Sequence, residues 1–145
     1  MPANTNPIFA LRGGIAWSAN VTAANTTLDG ASGTVSYLNV GGGPAFVAGT
    51  DGTFVPGVQF TPKGANVASL ARLFINNGGV ETTGANNCLI RELLLPATAL
   101  SQTAPQPPVF APLGFILPSG YKVFWTLATA VATGWQASMV VGEYS

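Results

Sequence analysis

The sequence predicts an all-β protein: a jelly-roll-like antiparallel β-sandwich of about eight strands with an extended N-terminal arm. Three observations lead there. Eighteen glycines and 11 prolines punctuate the whole chain. β-Branched and aromatic residues fill the intervals, often alternating with polar ones at the two-residue period of a strand. Helical periodicity is hard to find, and neither heptads nor an internal repeat is evident. At 145 residues one domain is expected, with a core that needs no disulfide or metal.

The elements follow in order. Residues 1–14 hold Pro2, Pro7 and the apolar cluster Ile8, Phe9 and Leu11, and read as the arm; 15–145 read as the single sandwich domain. The first strand is expected at 15–22, carrying Trp17, and 25–30 is a turn region closed by Asp29-Gly30. Residues 34–40 alternate Val35, Tyr37 and Asn39 against Ser36, Leu38 and Val40, a second strand broken by Gly41-Gly42-Gly43-Pro44. Asp51-Gly52 is a tight-turn dipeptide, which places a short hairpin within 44–55. Another short strand, 58–61, ends at Pro62.

Residues 67–75 read as a strand apolar on both faces, Leu70 and Phe74 on one, Ala71, Leu73 and Ile75 on the other, with Arg72 the exception. Asn76-Asn77-Gly78-Gly79 tolerates the positive φ of a reversing loop. The return strand is 88–95, with Arg91 and Glu92 on opposite faces. If the two strands pair, Glu92 faces Arg72 as a structural charge pair. Pro96, Pro105, Pro107, Pro108 and Pro112 mark a crossover whose end, 109–117, includes an edge strand, because proline cannot donate to a ladder. After the Pro118-Ser119-Gly120 turn, 122–129 is a strand with Val123, Trp125 and Leu127 facing one way. Gly134 turns the chain into 135–141, with Trp135, Ala137, Met139 and Val141 on one face. An immunoglobulin-like sandwich is the alternative, but its paired cysteines are missing.

Only 7% of residues are charged and the net charge is zero, against roughly 25% charged in an ordinary domain. Arg12, Lys63, Arg72, Arg91 and Lys122 are scattered singly, so no field gathers phosphates and no nucleic-acid partner is expected. No apolar run reaches a membrane span, and the N-terminus has no signal-peptide pattern, so synthesis in a cytosol is expected. With no histidine and one cysteine, a serine hydrolase lacks its base and zinc lacks its ligands. Cys88 lies in an apolar stretch and reads as a small buried hydrophobe. Asp29 and Asp51 are explained as turn residues, and Glu81, Glu92 and Glu143 are far apart in sequence. No catalytic, cofactor or metal site is expected, and the chain reads as not an enzyme. Trp125 and Trp135 read as core; Trp17 is left open between core and a sugar-stacking surface. Scarce charge also makes interface cheap to bury, since few ions need desolvating.

Leu73-Phe74-Ile75-Asn76-Asn77-Gly78-Gly79, Asn86-Asn87, Leu94-Leu95-Pro96-Ala97-Thr98, Pro112-Leu113-Gly114, Leu117-Pro118-Ser119-Gly120-Tyr121-Lys122-Val123 and Gly134-Trp135-Gln136 together carry a resemblance. From about Ala24 to Tyr144 the chain resembles small jelly-roll virion structural proteins of tailed bacteriophages. The resemblance rests on turn and strand residues. It implies a capsid cement (decoration) protein, made in the host cytoplasm. Such a protein sits outside the phage head, forms a homo-oligomer, commonly a trimer, and stabilises the major capsid protein. Ile8, Phe9 and Leu11 are then the candidate interface arm. The alternative is a tail or fibre head domain that binds a host glycan or receptor.

Overall fold

Alternation, turn glycines and prolines translate into two antiparallel sheets packed face to face. A computed structural model describes residues 12–31, 35–40 and 44–144. Its strands are β1 Arg12–Trp17, β2 Ser36–Tyr37, β3 Asn39–Val40, β4 Thr53–Pro62, β5 Ser69–Asn76, β6 Asn87–Leu95, β7 Val109–Leu117, β8 Lys122–Leu127 and β9 Trp135–Glu143. One sheet has the order β3-β1-β9-β4-β7, the other β2-β8-β5-β6. β2 and β3 are one extended stretch that changes sheets around the buried Leu38. Counted as one strand, it leaves eight, wound as the jelly roll the sequence predicts. Successive strands mostly lie in opposite sheets, so the ladder contacts are long-range and no hairpin can hold the sandwich alone.

The inward positions form the core. Trp125, Trp135, Phe60, Leu73, Leu117 and Leu127 are fully buried between the sheets, and Phe60 meets Trp125 edge-on at 5.1 Å. Trp135, Ala137, Met139 and Val141 all point inward from β9, and Val123, Trp125 and Leu127 from β8. At one end of the sandwich, buried Asn66 ties loops together. Its Nδ2 donates to the Gly134 carbonyl at 3.0 Å, and its Oδ1 accepts from the Thr133 and Gly134 amides at 3.0 and 2.8 Å.

Several boundaries move. β1 begins at Arg12, because residues 12–14 already pair with β9, so the arm ends before Arg12 rather than at Gly14. β1 stops at Trp17, short of the expected Thr22; Ser18 still donates its amide to the Ala137 carbonyl, but its hydroxyl accepts the Ala137 amide, and Val21 makes only an isolated bridge to Trp135. Asp51-Gly52 does turn the chain, with Gly52 at φ 86°, but it has no strand before it and closes no hairpin. It leads into β4, which runs through Pro56 to Pro62 as one strand. The ladder tolerates Pro56 because the register slips between Val55 and Gly57, and a bulge is where a strand accommodates proline. Cys88 is exposed, not buried, because β6 is the outermost strand of its sheet. The arm, including Ile8, Phe9 and Leu11, and the Gly41-Gly42-Gly43 break lie outside the described residues.

Candidate interaction surface

The chemistry-bearing side chains do not converge. Glu81 precedes β6 and accepts a hydrogen bond from the Tyr37 hydroxyl at 3.2 Å, whereas Glu143 ends β9 in the other sheet. Among the described residues, no three His, Cys, Asp or Glu side chains gather as a metal site would require. Nor is any helix there long and apolar enough to cross a membrane.

Arg72 and Glu92 stand directly opposite in the β5–β6 ladder. Arg72 Nε donates to Glu92 Oε1 at 2.8 Å, and its Nη1 donates to the Asn25 carbonyl at 3.2 Å. The pair is therefore structural: it pins the β1–β2 connection across the outside of the four-stranded sheet. That connection roofs the sheet. Asn25 donates its amide to the Leu127 carbonyl at 2.6 Å. Its side chain accepts from the amide and hydroxyl of Thr27 at 3.0 and 2.7 Å. Asn87 reaches up to the Asp29 carbonyl at 2.9 Å. Gly30, at φ 65°, lies so close to the Phe124 ring that a Cβ would come within 2.8 Å of it. Beneath the roof, Phe74 and Phe124 stack with centroids 4.9 Å apart. Tyr37 packs against Phe124 at 5.5 Å, with Lys122 Nζ 5.6 Å above its ring. Burial first, then the charge of Glu81 and its hydrogen bond, push the Tyr37 phenol up to about 12.

The outer face of the five-stranded sheet is different. Trp17, Ser138, Gln59 and Phe110 lie in one row across four strands. Ile15 and Val140 stand side by side in the next row. Gly13, Gly142, Phe54 and Ile116 form a third. No charged residue occupies these rows. Val140 is 62% exposed, Ile15 60%, Ile116 56%, Phe110 55% and Trp17 37%. These values leave most of each aliphatic side chain in water, although Ile15 and Val140 sit on interior strands of the sheet. The Phe110 ring lies against the backbone of Gly57, and beside it the face sinks into a shallow concavity of 170 Å³ lined by Ile15, Pro56 and Val140. A contiguous exposed apolar patch of this kind marks an interaction surface.

The sequence reading assigned Trp125 and Trp135 to the core, where they lie. It missed Phe110, Ile116 and Val140. The available signal was a strand apolar at both parities without charge, as in Val109–Leu117, which means that both faces meet something other than water. The chain matches no known protein-family model, no curated protein and no solved structure.

Proposed function

We propose that this protein is a non-enzymatic virion structural subunit, a capsid cement (decoration) protein of a tailed-phage head. In this reading it assembles with copies of itself, a trimer favoured, and stabilises major capsid subunits. The observation that carries the proposal is the uncharged apolar outer face of the five-stranded sheet. Burying such a face gains roughly 25 cal/mol per Å² of apolar surface, with almost no ionic desolvation to oppose it. The resemblance in turn and strand residues supplies the viral context, and the jelly-roll topology agrees with it. Light scattering at high protein concentration tests the self-association, and co-sedimentation with undecorated heads tests the capsid contact. A multi-subunit mass and saturable head binding are expected. A clean monomer that stays in the supernatant overturns the reading.

A second reading has one observation in its favour. Trp17 is partly exposed, with Asn39 and Ser138 as its two cross-strand neighbours, an aromatic beside hydrogen-bonding groups, as a sugar platform needs. A tail or fibre head domain would use it on a host glycan. Glycan-array binding that disappears in Trp17→Ala would favour this reading, and particle images with a few copies at the tail would decide for it.

A further inference from the structure

We propose that the cleft between the edge strands β6 and β7 receives the N-terminal segment of a second copy, with Ile8, Phe9 and Leu11 as its anchors; this rests on the self-association proposed above. β6 and β7 each end their sheet, and the bond from Arg91 to the Pro112 carbonyl puts the two ends on the same side of the sandwich. There the two sheets part, and inward-facing side chains remain half exposed. The opening is a cleft of 540 Å³ lined by Ile75, Ile90, Arg91, Pro112, Leu113 and Phe115. Arg91 spans it, donating from β6 to the Pro112 carbonyl on β7. Its walls are otherwise apolar. The cleft is largely open to solvent, so apolar side chains of an extended segment can enter it.

The chain carries a segment of matching chemistry. Residues 1–11 contain no charged side chain and hold the triplet Ile8, Phe9 and Leu11 directly before β1. Its tether excludes the cleft of its own chain. Through Glu143 and Thr53, Arg12 lies level with Leu117. β1 and β7 are three strand spacings apart, about 14 Å. Phe115 and Leu113 lie about 7 and 14 Å further along β7, so the cleft starts about 16 Å from Arg12 by this geometry. Fully stretched, Leu11 stands at most about 4 Å from Arg12 and Phe9 about 11 Å. The three residues cannot enter that cleft together, whereas the arm of a neighbouring copy has no such limit. Among the described residues the outer edges of β6 and β7 have no strand partner, and they add backbone partners for an extended segment.

The native cysteine supplies the test. Cys88 is exposed and stands across the ladder from Ile75, at the end of the cleft. In Phe9→Cys, mild oxidation of the full-length protein should link the introduced thiol to Cys88 of another chain. Covalent oligomers on a non-reducing gel, absent when Cys88→Ser is added, are the expected result. A bridge within one chain, or no bridge beyond that control, overturns the proposal. The double variant Ile8→Asp, Phe9→Asp provides a second readout, a fall in assembly mass by light scattering. If the mass is unchanged while the wild type is multi-subunit, the arm proposal fails and self-association stands. If the wild type is itself monomeric, self-association has failed first.

Discussion

Both outer faces of the sandwich carry aromatic and aliphatic side chains, yet they are treated in opposite ways. The four-stranded sheet is closed by its own chain. Residues 24–31 lie across it, held by Arg72, Asn25 and Asn87, and Phe74 and Phe124 are fully buried beneath. The five-stranded sheet has no such cover among the described residues, and Ile15, Val140, Phe110 and Ile116 stand in solvent. The polar residues show why. Where the chain covers itself, buried amides need partners, so Asn, Asp and Arg collect at the roof. The open face has few polar groups and no charges, which suits a surface waiting for another apolar surface.

The same substitution should therefore behave differently on the two faces. Gly30→Val forces a β-branched residue into positive φ and against the Phe124 ring. A loss of about 3 kcal/mol is expected, a fall in Tm of roughly 10 °C for a chain of this size. Gly13→Val, on the open face, has nothing within 4 Å of its new Cβ and should lie within about 0.5 kcal/mol of the parent. Equal losses in thermal scans would erase the contrast.

Removing the roof's clamp should cost somewhat less. Arg72→Ala deletes the bonds to Glu92 and to the Asn25 carbonyl, so about 1–3 kcal/mol is expected by urea denaturation. Hydrogen exchange should accelerate first in residues 24–31. Glu92→Gln should cost under about 1 kcal/mol, because its side chain is 42% exposed. Val140→Lys should leave the stability of the single chain within about 0.5 kcal/mol while lowering the assembly mass seen by light scattering. An unchanged mass would remove the open face from the assembly.

The last effect is confined to alkali. The folded Tyr37 phenol ionises at about 12 instead of the usual 10.0. Between those values the unfolded chain loses this proton and the folded chain keeps it, so stability falls as pH rises through that window. Below pH 10 the contribution is fully present. Tyr37→Phe should flatten the slope of stability against pH between about 10 and 12; an unchanged slope would show that the buried side of this sheet does not hold the proton.

Much of the sandwich is legible residue by residue. The inward set of β9 and the two-faced pattern of β5 follow from period-two alternation, and the Arg72–Glu92 register follows from one hairpin. The expected break between the 44–55 hairpin and the 58–61 strand is absent, because a register slip absorbs Pro56 within one continuous strand. Cys88 misleads because an apolar neighbourhood in sequence does not say whether a strand is central or at an edge.

Local chemistry is thus enough for the class of fold and the placing of several of its turns. These depend on near neighbours: alternation, the backbone freedom of glycine and the donor missing from proline. Which sheet face is roofed, which edges stay open and what lies across from what depend on residues far apart in sequence. Apolar residues at both parities of a strand demand cover on both sides, but alternation cannot name the cover. For Phe124 it is Gly30 of the same chain; for Val140 the described residues supply none, and that difference arises only when the sheets are assembled.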